Sequence, residues 1–85
     1  MALEQSAFGA VPCQHMDYVR RTCLAPAVMT TAAYRADGAP AVWVRYAPGH
    51  MRPGYAGCLI VFSGGEYPQI FWGKSAADAF AWKRA

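Results

Sequence analysis

The period of the apolar positions changes along the chain, and each change marks a different element. Between Cys13 and Leu24, Met16, Val19 and Cys23 recur at intervals of three and four, the spacing of one helix face. Asp17 stands early, Arg20 and Arg21 stand late, and Pro26 follows. That order suits the helix dipole and supplies a stop. Tyr18, Val19, Thr22 and Cys23 also favour strands, so a strand is the alternative for residues 13–24. Before them, residues 1–12 show no consistent period and contain Gly9 and Pro12, which reads as a loose N-terminal arm.

The next segment carries a sharper signal. Two β-rich runs, Ala27–Arg35 and Ala41–Tyr46, flank Asp37-Gly38. A two-residue type I′ turn needs positive φ at both central positions, which Asp-Gly supplies, so the pair predicts a hairpin. That turn sets Tyr34 opposite Ala41 and Ala32 opposite Trp43, with Thr30 and Arg45 on the same face. Val42, Val44, Ala33, Thr31, Met29 and Tyr46 line the other face, which reads as the core side. A Pro- and Gly-punctuated loop follows from Pro48 to Gly57. Cys58–Phe62 is apolar on both faces, as a central strand should be. Ser63–Pro68 makes a turn, and Gln69–Trp72 makes a short last strand that Gly73 and Lys74 break. Ser75 with Asp78 three residues later resembles a capping box at the start of a helix over Ala76–Arg84. The expected architecture is α+β: an antiparallel sheet of three to four strands with a helix at each end, over residues 13–85 as a single domain.

This pattern leaves a covering problem. Leu59 and Val61 point to one side of the sheet, and Cys58, Ile60 and Phe62 to the other, while Tyr34, Trp43, Ile70, Phe71 and Trp72 add bulk to both. Burying one such side chain is worth about 1.5–3 kcal/mol, and two short helices offer little cover. Exposed apolar patches usually mark interfaces. The expected outcome is a homo-oligomer, most simply a two-fold dimer, closed over Tyr34, Trp43, Phe62 and Trp72. The alternative is a monomer in which the N-terminal helix and arm cap that face. In the loop, His50, Met51, Arg52 and Tyr55 are the candidate contacts for a small apolar ligand or a partner segment, because binding residues concentrate on loops held by a scaffold.

Composition narrows the class. The chain has 85 residues, is 55% hydrophobic and only 15% charged, which excludes a disordered or coiled-coil protein. Its net charge of +3 is a mild excess rather than a basic tail. Glu4 stands where a secretory signal needs positive charge, and no apolar run approaches a membrane span. Three cysteines, Cys13, Cys23 and Cys58, suit reduced thiols better than a disulfide framework. A cytoplasmic chain without membrane contact is expected.

Candidate chemistry is sparse. Cys13, His15, Cys23, His50 and Cys58 are the soft ligands, but none of their spacings matches a zinc pair, so no metal or other cofactor is expected. Ser63 lacks the glycine two positions before it that a nucleophile elbow needs, because Val61 stands there. Cys13 and His15 are two apart, and such positions on a helix do not face each other. Gly73-Lys74-Ser75 echoes the end of a P-loop, but Pro68 occupies the upstream glycine position. Lys74 and Ser75 are left as a generic anion site at a helix start, against plain capping.

The order helix, three strands, helix, with Gly73-Lys74-Ser75 at the last helix start, resembles the double-stranded-RNA-binding domain in outline, which implies phosphate contacts at that helix start. Here Ala76 and Ala77 follow Lys74 where that family carries further lysines. The run Phe71–Ala79 is similar to plant AP2-type sheet readers and integrase arm domains, whose basic sheet residues are matched only by Arg35 and Arg45. Gln69-Ile70-Phe71 resembles the Val-Gln-Ile-Tyr segment of plasmid type II dihydrofolate reductases. In size and alanine-rich makeup the chain resembles small orphan proteins of bacterial mobile elements, of the integron gene-cassette type, which implies no transferable site. The functional expectation is a non-catalytic interaction protein that self-associates. A nucleic-acid-binding module and a small enzyme with its site at an oligomer interface are the alternatives.

Overall fold

The computed structural model describes residues 3–22, 28–47, 49 and 54–84. An antiparallel meander of five strands runs in chain order across one sheet: β1 (Leu3–Gln5), β2 (Val28–Ala36), β3 (Ala39–Tyr46), β4 (Gly57–Val61) and β5 (Gln69–Gly73). Helix α1 (Cys13–Thr22) joins β1 to β2, and α2 (Ala76–Arg84) follows β5. The α+β class is as expected, with a correction to the strand count: five rather than three to four. The additional strand lies in the segment read as a loose arm. Leu3, Glu4 and Gln5 pair with Ala36, Arg35 and Tyr34 of β2. Three residues are too few to display a period, so only the partner strand reveals them.

The hairpin forms as its turn chemistry predicts. Asp37 and Gly38 both take positive φ, 50° and 85°. The resulting register sets Tyr34 opposite Ala41, Ala32 opposite Trp43 and Thr30 opposite Arg45. Lys83 of α2 reaches back to this turn and donates to Asp37 Oδ2 at 3.1 Å.

Both sheet faces are roofed by the chain itself. On one, α1 sets Val19 with Met16 and Tyr18 over Ala33, Val42, Val44, Cys58, Ile60 and Phe62. On the other, Ala76, Ala79 and Phe80 of α2 pack on Ala36, Ala41, Trp43, Leu59 and Val61. This explains why β4 is apolar throughout: all five of its residues are buried, with one helix above and one below. The face expected to be the sole core side is therefore one of two.

Glycine makes the close approaches. A Cβ at Gly73 would stand 2.6 Å from Ala79 N and 2.9 Å from Asp78 Oδ2, so only glycine lets α2 begin this near β5. The helix then opens on a variant of the expected capping box. The Ser75 hydroxyl accepts from Asp78 N–H at 3.1 Å, and Asp78 Oδ2 accepts from the backbone N–H of Lys74, at 2.9 Å, rather than from that of Ser75. Ser75→Ala should cost about 1 kcal/mol by urea unfolding, since one orphan amide loses its acceptor. An unchanged midpoint would show that water replaces the hydroxyl at no cost.

Candidate functional site

Two surfaces stand out once the helices are in place. The first is the outer part of β5, which among the described residues pairs with β4 on one side and with no strand on the other. Ile70 pairs with Ile60 and Trp72 with Cys58, so both point to the α1 side of the sheet. They nevertheless remain 38% and 43% exposed. Tyr46 stacks beside Trp72, ring centroids 6.2 Å apart. Tyr55 and Tyr67 are exposed as well. The strand's sequence, Gln69-Ile70-Phe71-Trp72-Gly73, contains no charge. Natural edge strands are usually guarded by lysine, proline, a bulge or extreme shortness. The opposite edge, β1, has three residues, one of them Glu4.

The second surface is a hollow of about 270 Å³ between α1 and the β4–β5 connection. Gln14, Tyr18 and Arg21 recur at intervals of four and three on α1 and so share one helix face, while Gly64, Gly65, Glu66, Tyr67 and Pro68 supply the facing wall. The floor is Phe62. The His15 ring lies flat on it, centroids 4.1 Å apart and planes 6° from parallel, and Tyr18 meets it edge-on at 5.9 Å. His15 Nδ1 is buried with no hydrogen-bond partner. An unsatisfied buried polar atom costs about 1–3 kcal/mol and needs a reason.

The residues singled out from sequence scatter between inside and outside. Trp43 is 8% exposed beneath α2, and Phe62 is buried beneath His15 and Tyr18. Tyr34 is half-buried between β1 and β3. Of the four proposed interface residues only Trp72 presents a large exposed ring. Tyr55 is exposed, whereas His50, Met51 and Arg52 lie outside the described residues. At the start of α2, the Asp78 carboxylate already occupies the position an anion would take near Lys74 and Ser75, so capping is the role the geometry gives them. Cys13 and His15 diverge as helix geometry demands: Cys13 lines a separate hollow with Gly9, Val11, Met16 and Arg20.

Sequence reasoning missed the second surface. The sequence alone presents His15 only as a soft ligand or as a partner for Cys13, and neither role points to this hollow. The legible signal was the polar stripe Gln14, Tyr18, Arg21 on a helix whose other side is apolar. No model of a protein family matches the chain, and no curated protein and no solved structure does either. The arrangement of its own residues is therefore what bears on function.

Proposed function

We propose that this chain is a small interaction protein, acting without catalysis, that self-associates edge to edge through β5. The observation that carries this reading is the uncharged strand at the edge of the described sheet, with Ile70 and Trp72 exposed on it. The strand is also self-complementary. A two-fold axis through Phe71 would set Ile70 of each copy opposite Trp72 of the other on the same face. Aromatic and β-branched residues directly opposite each other are favourable cross-strand partners. Backbone groups on the outer side of β5 would complete a ladder, and two Ile70–Trp72 pairs would cover one another. The earlier expectation of a whole aromatic face thus contracts to one strand, because the chain's own helices take Trp43 and Phe62.

A pair of five-residue strands buries less than the roughly 1,200 Å² of a stable standard interface. The association is accordingly weak, with a dissociation constant on the order of 10–100 μM. Light scattering across a concentration series should show the mass rising toward twice 9.2 kDa. Trp72→Lys and Ile70→Lys place the usual edge guard on the strand and should each weaken association at least tenfold, with the fold intact by circular dichroism. A parent protein that stays monomeric to roughly 500 μM removes the proposal.

A further inference from the structure

The hollow between α1 and the β4–β5 connection has features that edge pairing does not use. Arg21 stands on one wall and Glu66 on the other, and among the described residues neither is held in an ion pair. Between them lie aromatic rings: Phe62 as floor, Tyr18, and Tyr67, which is 74% exposed. His15 lines the hollow as well, and its buried Nδ1 has no partner among the described residues. Charged groups on facing walls around an aromatic lining give this hollow the makeup of a ligand site rather than of a packing gap.

The chemistry of these walls selects its ligand. One cation and one carboxylate make the site electrically neutral, so a phosphate or other polyanion would meet Glu66 as well as Arg21. Phe62 already has His15 stacked on it, which leaves edges and the Tyr67 ring for an aromatic group rather than a slot for a large fused base. At about 270 Å³ the hollow lies just below the range of drug-sized pockets. We propose that this hollow binds a free aromatic amino acid. Its carboxylate meets Arg21, its ammonium group meets Glu66, and its ring lies among Phe62, Tyr18 and Tyr67. Arginine suits the carboxylate because its planar fork donates two parallel bonds. The site lies within one copy and does not rest on self-association.

Isothermal titration with L-phenylalanine tests this, beside phenethylamine and 3-phenylpropanoate, which each keep the ring and one charge. L-Phenylalanine should bind with a dissociation constant of about 1 mM or tighter, and each analogue at least about tenfold more weakly. Arg21→Gln should weaken L-phenylalanine about tenfold and leave phenethylamine unchanged, and Glu66→Gln should do the same with 3-phenylpropanoate unchanged. Both side chains are exposed on the surface, so the variants keep the fold. The titration is repeated on Trp72→Lys, where binding should persist whether or not the parent self-associates. An amino acid that fails to bind at about 10 mM overturns the proposal. So does an analogue that binds as tightly as the zwitterion, or binding unaffected by both substitutions.

Discussion

Gly57→Ala should destabilise the protein by at least about 3 kcal/mol, the largest loss expected of any single methyl group added to it. Gly57 opens β4 and lies between Arg45 of β3 and Gly73 of β5. A Cβ there would overlap the carbonyl oxygen of Val44 and stand 3.0 Å from the Arg45 Cα. Both are backbone atoms of the neighbouring strand, so no rotamer change relieves the overlap. The strands themselves must part there, at the start of β4. The φ of Gly57 is not positive, so the penalty is one of space rather than torsion. For a chain of 85 residues, total stability is roughly 4–13 kcal/mol, and this loss removes a large share of it. Gly9→Ala serves as the control, since an added Cβ there meets nothing within 4 Å. Urea unfolding of both variants checks the prediction. A Gly57→Ala protein within about 1 kcal/mol of its parent would show that β3 and β4 can separate cheaply.

Local chemistry explains what was legible beforehand. Asp37-Gly38 fixed a register because positive φ at two successive residues leaves few alternatives. The doubly apolar run Cys58–Phe62 required cover on both sides, and the structure supplies a helix for each. Ser75 and Asp78 announced a helix start by their spacing. Non-local facts were hidden. β1 exists because β2 offers an edge, and nothing in Leu3-Glu4-Gln5 alone says so. The same blindness affected the candidate interface. Trp43 and Trp72 are both large aromatics on strands, but Trp43 lies in an inner strand under α2, whereas Trp72 lies in an edge strand. Residue type gave them equal weight, and position in the sheet separates them. The hollow beside His15 is non-local too, since its walls come from α1 and from a turn more than forty residues later in the chain.

Phe62→Ala is the second large effect, and it distinguishes how the two helices are held. Phe62 leaves the end of β4, with its amide donating to the Pro40 carbonyl at 2.9 Å, so its ring is fixed from the backbone outward. On the other side it carries both aromatic rings of α1 that reach it, His15 stacked and Tyr18 edge-on. Truncation removes both ring contacts and opens a void under the helix, which should cost about 3–5 kcal/mol. Phe62→Leu keeps most of the volume but no flat ring, so it should cost less, about 1–1.5 kcal/mol. The loss should also be lopsided. Helix α1 rests on the face containing Phe62, while α2 rests on the opposite face through Ala76, Ala79 and Phe80. Amides of α1 in Phe62→Ala should therefore exchange hydrogen faster through local opening, with those of α2 still limited by global unfolding. Equal acceleration in both helices would mean that the sheet transmits the void from one core to the other, and that the two faces unfold as one unit.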